Sequence, residues 1–401
     1  MAAPVRNRSL GSLSGDPAID QRLRAALDRL VDLAAPIDGL DALLLGGSLA
    51  RGEGAGHRGA DGEPVVDSDI EAYLVGRDRS LRRQASLLSA SATSATGVEV
   101  SLAWLHPDRL RHGRARNLSF RPARTILAYD LGASARTLLG APPAIRPVDP
   151  ATIPIAEGLR LLLNRCVEAA PAVGGPAWPR WQDKLLTAAG DALLIADGAY
   201  AGGYAERAAA VARESADWIA SGRIPPASDG LIAAAYGRRL GTTAGATAPG
   251  TSAGTVPAAT LAAIVASVAT GLVRTDFGVE LAVADFAAGC PPLARRSATY
   301  ARYLPPAGPA RHYDAAVTAI RAGSRLGWRR WPAALAGRSA ILQVLACGLP
   351  ILLARLGGTD GAAPTELLAG ARRAARTVGL DLPDDAAAAA TRLESAWRRI
   401  S

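Results

Sequence analysis

Two acidic side chains two residues apart are the strongest candidates for chemistry in this chain. Asp69 and Glu71 lie in residues 67–75, a short apolar segment with the character of a β-strand. Residues two apart on a strand point to the same face, roughly 6.5–7 Å apart along the backbone. Two carboxylates on a buried face are costly unless a cation neutralises them, and Mg²⁺ prefers oxygen ligands. The pair therefore predicts a divalent-metal site.

A glycine turn precedes this acidic strand. The apolar run 43–45 breaks at Gly46, Gly47 and Ser48, and the following residues become polar and amphipathic. This order predicts a strand, a tight turn and the start of a helix. Free backbone N–H groups and the positive end of the dipole at a helix start attract anions such as phosphate. The two segments together predict a phosphate site beside a metal site.

These two segments resemble the polymerase-β-type nucleotidyltransferase superfamily. Its signature is a Gly-Ser turn followed by a strand that carries Asp, a hydrophobic residue and Asp or Glu. Here the turn is Gly47-Ser48 and the strand carries Asp69-Ile70-Glu71, similar to the Ser-Asp-Ile-Asp of small-molecule nucleotidyltransferases. The resemblance implies transfer of a nucleoside monophosphate from a nucleoside triphosphate, expected to be ATP, to an acceptor, with release of pyrophosphate.

The resemblance also implies roles for individual residues. Asp69 and Glu71 would hold two Mg²⁺ ions, or Mn²⁺ in their place, and Gly47 and Ser48 would hold the β- and γ-phosphates. In the family a third carboxylate comes from a neighbouring strand, and the predicted strand 98–104 carries only one acid, Glu99. Glu99 would complete the acceptor-side metal and assist deprotonation. The alternative is that Glu99 lies on a solvent-facing side of the sheet.

Two basic residues are candidates for the triphosphate, Arg51 and Lys184. The segment 181–195 is similar to the helix that follows the catalytic domain in many small nucleotidyltransferases, where a lysine often faces the triphosphate. Lys184 is also the only lysine in the chain, since the other 44 basic residues are arginine. An ammonium is a compact point charge and differs from a planar guanidinium, so a confined phosphate site would explain the exception. Chance survival of one lysine is the alternative.

The spacing between turn and acidic strand departs from the family. Twenty residues separate Ser48 from Asp69, more than the family usually has, and the excess is rich in glycine between residues 54 and 62. We predict that residues 54–66 form a mobile surface loop beside the triphosphate.

The surrounding sequence predicts an α+β fold. Asp16 and Pro17 predict the start of a helix, strands are expected at 41–45, 69–75 and 98–104, and a helix from Asp78 to about Ala95. Residues 124–131 and 136–140 are predicted as two further short strands, the first of which carries Asp130, a candidate substrate contact. Residues 1–140 would thus form a nucleotidyltransferase α/β domain with a small mixed sheet.

The rest of the chain is predicted to be all-α. Beyond the proline-rich joint at 141–154 the sequence is rich in alanine and leucine and has no strand pattern. Residues 155–240 are predicted as a helical domain lining the cleft, and residues 258–401 as a second helical unit. The stretch 240–257, dense in Gly, Thr, Ala and Pro, is predicted as the linker between them.

Composition points to a cytoplasmic protein with a large core. The chain has 401 residues, is 49% hydrophobic and has a formal net charge of +9. The first sixteen residues lack the apolar region of a signal peptide, and the most apolar stretches, 258–273 and 339–354, are shorter than a membrane span. Three widely spaced cysteines indicate neither a disulfide framework nor a zinc site. We therefore expect no membrane partner.

Positive charge is concentrated in residues 295–338, which hold nine arginines against one acid, Asp314. This basic segment would dock a nucleic acid or a protein, or it is simply a solvated helical face. Four functions remain open: transfer to a small hydroxylated molecule such as an aminoglycoside-like antibiotic, a sugar or a polar metabolite, which we favour; transfer to a protein; transfer to RNA; and an inactive nucleotide-binding regulatory module. The intact acid pair argues against the last.

Overall fold

The computed structural model describes residues 14, 16–59, 61–112, 125–240, 256–290, 340–359 and 361–400. The helices with defined bounds are α1 (Pro17–Ala34), α2 (Gly47–Arg51), α3 (Leu81–Thr96), α4 (Pro107–His112), α5 (Ile126–Ser134), α6 (Ile155–Ala169), α7 (Trp178–Ala196), α8 (Tyr204–Ala220), α9 (Leu231–Arg239), α10 (Ala258–Phe277), α11 (Ala340–Arg355), α12 (Pro364–Arg376) and α13 (Ala386–Ile400). The strands are β1 (Ala42–Leu45), β2 (Gly56–Arg58), β3 (Pro64–Val66), β4 (Ile70–Val75), β5 (Val100–Leu105) and β6 (Arg136–Gly140).

Four strands form one small mixed sheet in the order β5-β4-β1-β6. β1 pairs antiparallel with both β4 and β6, whereas β4 and β5 run parallel with Glu71 opposite Ser101. The predicted α+β class and the small mixed sheet are therefore confirmed. Because the middle strand β1 is buried on both faces, it reads in the sequence as an uninterrupted apolar run.

The two faces of β4 meet different surroundings. Ile70, Ala72 and Leu74 are buried in a core with residues of α1 and α3. The alternate residues, Glu71 and Tyr73, point to the opposite face because successive side chains on a strand alternate. That opposite face is the one on which the candidate site is built.

The segment 124–131 is a correction to the sequence prediction. Its described part belongs to a helix, α5, and not to a strand. The hydroxyl of Thr125 accepts a hydrogen bond from the backbone N–H of Ala128 at 3.0 Å, which caps the first turn of the helix. A short apolar run does not distinguish helix from strand by its period, and only this cap separates the two. Asp130 therefore lies on a helix.

The segment 54–66 is a second correction, since it contains a two-stranded hairpin and is not an irregular loop. β2 and β3 pair antiparallel, with Gly56 opposite Val66. The hairpin packs on α1, where Nη1 of Arg22 donates to the carbonyl oxygen of Pro64 at 2.5 Å. A Cβ at Gly56 would lie 2.7 Å from Cδ1 of Ile19, so glycine permits this close approach. The hairpin within residues 54–66 is thus attached to α1 of the α/β domain.

The described helices that follow share one hydrophobic core. Leu163 of α6, Leu186 of α7, Val265 of α10 and Leu349 of α11 belong to the same buried cluster. The sequence division into helical units at 155–240 and 258–401 is therefore not reflected in the packing of the described residues. The predicted linker lies almost wholly outside the described residues, as does the whole of the basic segment 295–338.

Helix α10 is long and apolar enough to cross a membrane, and it is the one such helix in the described chain. Half of its most apolar stretch is buried, and it packs against α6, α7 and α11 as a core helix does. Cys166, Cys290 and Cys347 are free and buried. Burial raises the pKa of all three thiols, to about 12 for Cys290 and Cys347, which makes them unreactive core residues.

Candidate active site

The glycine turn lies directly against the acidic strand. The backbone N–H of Gly46 donates to the carbonyl oxygen of Glu71 at 2.8 Å. Gly47 has φ of 65°, and a Cβ there would lie 2.8 Å from Oε2 of Glu71. The turn therefore approaches the Glu71 carboxylate as closely as a residue without a side chain allows. The helix that follows, α2, has only five residues, so its dipole is small.

Two serines join the turn to the start of β4. The hydroxyl of Ser48 lies 3.5 Å from the hydroxyl of Ser68, which is 5% exposed and accepts from the N–H of Ala55 at 2.8 Å. Ser68 immediately precedes Asp69, so this contact ties the first acid of the pair to the turn. The predicted turn and acid pair are thus adjacent in space, although twenty residues separate Ser48 from Asp69 in the sequence.

The acid pair carries charge that the protein does not neutralise. Burial raises the pKa of Glu71, and the nearby charge of Asp69 raises it further against the opposing charge of Arg165. Within the described part of the chain, neither Asp69 nor Glu71 forms a salt bridge. The described residues contain no group of three or more His, Cys, Asp or Glu side chains placed to hold a metal. Two hard carboxylates suit Mg²⁺ when substrate phosphates supply its other ligands.

Four basic side chains from three helices converge opposite the acid pair. We call them the cationic cluster, and they are Arg165 of α6, Arg180 and Lys184 of α7 and Arg239 of α9. Burial lowers the pKa of Lys184 to about 8, the charges of Arg180 and Arg165 lower it too, and Asp69 opposes them. Because these charges all act on the Lys184 ammonium, the four basic side chains form one cationic region, and Asp69 lies close to it.

Lys184 has no anionic partner in the described chain. Its Nζ lies 4.7 Å from the centroid of the Trp181 ring and makes neither a hydrogen bond nor an ion pair with any described residue. Arg180 donates to the carbonyl oxygen of Asp67, just before the acidic strand. Arg165 is paired with Glu168. The cationic cluster therefore presents an unpaired ammonium towards the acid pair.

A second group of charged residues also lies near Glu71, and it contacts the cationic cluster, because the Arg239 guanidinium lies 4.7 Å from the centroid of the Tyr204 ring. We call it the Asp130 cluster, and it comprises Arg51, Glu53, Asp130, Tyr204 and Arg207. Glu53 accepts from Nε of Arg51 at 2.8 Å and from the backbone N–H of Tyr204 at 2.5 Å. The Arg51 guanidinium lies 5.1 Å from the centroid of the Tyr204 ring. Glu53 therefore joins the α/β domain to the first turn of α8.

Glu71 is influenced by both groups. Its pKa responds to Arg165 of the cationic cluster and to Asp130 and Arg51 of the Asp130 cluster. The two clusters meet at Tyr204, whose ring is contacted by Arg239 as well as by Arg51 and Arg207. The site thus combines a cationic cluster and a cluster of mixed charge around the acid pair.

Most of the predicted site residues come together. Gly47, Ser48, Asp69 and Glu71 form one side of the site, and Lys184 faces them from α7. Arg51 lies in the Asp130 cluster, where it contacts Glu53 and Tyr204.

Glu99 lies apart from the other predicted residues. It precedes β5, its carbonyl oxygen accepts from the N–H of Ile70 at 2.8 Å, and its side chain is exposed. Its charge acts on Arg398 of α13.

Sequence reasoning missed Arg165, Arg180, Arg239, Arg207 and Glu53. Arginine is so frequent here that four more carry no composition signal. Only Arg165 has a local sequence signal, because Asn164 and Arg165 interrupt an apolar stretch of the helix. Glu53 and Tyr204 meet across 151 residues of sequence, a contact that no local pattern predicts.

The first prediction concerns Gly47. Gly47→Ala is expected to lower turnover clearly, because the new methyl group must displace the Glu71 carboxylate 2.8 Å away. It should also cost about 1–2 kcal/mol of stability, since φ of 65° disfavours any residue with a Cβ. Gly174→Ala is the matched control, because Gly174 has φ of 80° with nothing within 4 Å of a Cβ. Equal loss of turnover in both variants would show that the positive φ of Gly47, and not the displacement of the Glu71 carboxylate, accounts for the loss.

The geometry therefore brings an acid pair, a glycine turn and a cationic cluster into one site. Comparisons with protein-family models, with curated proteins and with solved structures give no significant match. The function is accordingly inferred from the residues and contacts of this chain.

Proposed function

We propose that the protein is a metal-dependent nucleotidyltransferase that moves a nucleoside monophosphate from a nucleoside triphosphate to a hydroxyl acceptor. One observation carries the proposal. Asp69 and Glu71 hold unpaired negative charge on one side of the site, while Lys184 holds unpaired positive charge on the other. All three side chains are partly buried, and a charge withdrawn from water without a partner is costly, so both groups call for a ligand. A divalent ion with a triphosphate satisfies the two together.

The carboxylates of Asp69 and Glu71 would hold the metal. When bound, the ion would supply positive charge that neutralises the phosphates and polarises the reacting oxygens. Gly47 and Ser48 would donate to the β- and γ-phosphates from the turn beside Glu71. Lys184 would neutralise the triphosphate from across the site. These assignments extend the polymerase-β-type resemblance of the N-terminal domain.

The arginines that the structure adds fit the same roles. Arg165 and Arg239 raise the positive charge around Lys184, and Arg180 fixes the backbone just before Asp69. Transfer of a phosphoryl group asks a protein mainly for positioning and charge neutralisation. In the reaction the acceptor hydroxyl loses its proton to solvent as its oxygen bonds to the α-phosphorus, and the bond from the α-phosphorus to the bridging oxygen breaks with its electron pair going to pyrophosphate. The cationic cluster would neutralise the charge of the departing pyrophosphate.

A small hydroxylated acceptor, used in the cytoplasm, is the form of this reaction that we favour. The site includes residues of α6, α7, α8 and the sheet, and clefts between packed elements commonly bind small molecules. Transfer to a protein or to RNA would draw on the basic segment 295–338, which lies outside the described residues.

The direct test is metal-dependent nucleotide binding. An ATP analogue with a methylene group between the α- and β-phosphorus atoms should bind in the presence of Mg²⁺ and lose affinity in excess chelator. Without metal, Asp69 and Glu71 repel the phosphates. Titration calorimetry with the analogue, and with adenosine as a control without phosphate, measures the effect. Equal affinity for the analogue with chelator would contradict the proposed function.

A further inference from the structure

Two buried polar atoms of the Asp130 cluster lack a hydrogen-bond partner among the described residues. They are Nη1 of Arg51, which is a donor, and Oδ1 of Asp130, which is an acceptor. A buried polar atom left without a partner destabilises the fold, so native proteins rarely keep one without a functional reason. Here one donor and one acceptor occur beside Glu71, and each charge acts on the other side chain.

Neighbouring groups hold both side chains in place without satisfying these atoms. Glu53 accepts a hydrogen bond from Nε of Arg51 at 2.8 Å, and Nη1 of Arg51 donates none. Arg207 lies near Asp130 but donates instead to Asp191 at 2.9 Å and to the carbonyl oxygens of Ala201 and Gly202, both at 2.8 Å. Each guanidinium nitrogen of Arg207 therefore donates to another group, and among the described residues Arg207 makes no hydrogen bond to Asp130. The donor of Arg51 and the acceptor of Asp130 are left for a group that is not part of the protein.

We propose that Asp130 and Arg51 form the subsite for the acceptor hydroxyl, an inference that rests on the proposed function. The hydroxyl would donate its proton in a hydrogen bond to Oδ1 of Asp130 and accept one from Nη1 of Arg51. The two contacts orient the hydroxyl oxygen beside Glu71. Asp130 is thus a binding residue for the acceptor.

The chemistry of the pair selects the class of acceptor. A hydroxyl group both donates and accepts, so it satisfies Asp130 and Arg51 together. An ammonium group has no lone pair to accept from Arg51. A carboxylate or phosphate cannot donate to Asp130, and its charge would be repelled by Asp130, Glu71 and Asp69. A neutral alcohol is the group that matches both side chains.

This assignment differs from the one that the family resemblance implies. The resemblance expects the acceptor-side acid on the strand beside the acid pair, at Glu99. The Glu99 side chain is exposed, whereas Asp130 on α5 is partly buried with its Oδ1 inaccessible to solvent, and its charge acts on Glu71. Burial raises the pKa of Asp130 despite the opposing charges of Arg207 and Arg51, as expected of a carboxylate that lacks its partner.

The test combines stability with turnover in Asp130→Asn. Without ligand the variant should be more stable than the parent, with a thermal midpoint higher by about 2 °C, because a buried charge without a full set of partners is removed. Release of pyrophosphate from ATP and Mg²⁺, with glycerol as the acceptor probe, should fall about ten- to a hundredfold, the value of a hydrogen bond to a charged group. Affinity for the methylene analogue of ATP should stay that of the parent.

Asp217→Asn is the matched control, since Asp217 lies on the exposed face of α8. It should change neither the thermal midpoint nor the rate. Replacing glycerol by 1,3-diaminopropane tests the class of acceptor, and transfer to a hydroxyl oxygen of glycerol but not to the diamine is expected.

Three results would overturn the subsite: a lower midpoint for Asp130→Asn, an unchanged rate of pyrophosphate release, or preferred transfer to the diamine. In each of these cases the proposed function stands if the parent still binds the analogue with Mg²⁺. A parent that fails to bind the analogue would count against the proposed function instead, and the stability measurement would still decide whether Asp130 is a structural or a binding residue.

Discussion

Asp69→Asn is expected to lower turnover by at least about a thousandfold. A metal contributes several kcal/mol of transition-state stabilisation, and about 4 kcal/mol corresponds to a factor of a thousand. The substitution halves the charge of the acid pair and removes one carboxylate oxygen from the set that would hold the ion. The fold should remain intact, because the neutral side chain also relieves the repulsion between Asp69 and Glu71.

The measurement is the rate of pyrophosphate release at saturating Mg²⁺, with the free energy of unfolding determined in parallel. Asp78→Asn is the control, because it makes the same change at an exposed position just beyond the other end of β4. Activity of Asp69→Asn within tenfold of the parent would remove Asp69 from the reaction.

Lys184→Ala is expected to weaken triphosphate binding or turnover by ten- to a hundredfold. This is the value of a hydrogen bond to a charged group, about 1.5–3 kcal/mol. Lys184→Arg is the sharper variant, since it keeps the charge but replaces a compact ammonium by a larger planar head. We expect a clear loss of activity in this variant too, because Arg165, Arg180 and Trp181 already surround the position.

The pH dependence gives an independent readout for Lys184. With a pKa of about 8 in the free protein, the ammonium is charged below pH 8 and becomes neutral as the pH rises through that value. kcat/KM for the triphosphate should therefore fall above pH 8 in the parent, since this ratio reports the ionisation of the free enzyme. Lys184→Arg should lack the fall, because a guanidinium remains charged.

Arg213→Ala is the control for the loss of one positive charge, since Arg213 is exposed on α8 and pairs only with Glu214. It should leave the affinity and the pH profile unchanged. If Lys184→Arg matches the parent in both activity and pH profile, the single lysine is an accident of composition and has no place in the site.

Local patterns were sufficient wherever neighbouring residues decide the structure. The run at β1 and the glycine turn are consecutive in the chain, and the period of a strand alone puts Asp69 and Glu71 on one face. The cap at Asp16 likewise predicts α1, where its carboxylate accepts from the N–H of Ala18 at 2.7 Å. Helices after residue 154 follow from the same kind of periodic pattern.

Local patterns failed where contacts between residues far apart in the sequence, or one weak local signal, decide the structure of a segment. The hairpin in residues 54–66 depends on α1, through Arg22 and Ile19, and the glycine-rich composition alone resembles an irregular loop. In α5 the apolar run fits either helix or strand, and the choice depends on the cap at Thr125. A single capping residue is a weak signal in a sequence.

The sequence by itself determined the chemistry of this protein's site: an acid pair on a strand, a glycine turn before it and one lysine spared among the arginines. The tertiary structure alone decided what surrounds them. Arg165, Arg180 and Arg239 come from three different helices, and their convergence on Lys184 depends on how those helices pack. The proposal of Asp130 in place of Glu99 has the same origin, since burial and unpartnered atoms exist only once α5, α8 and the sheet meet.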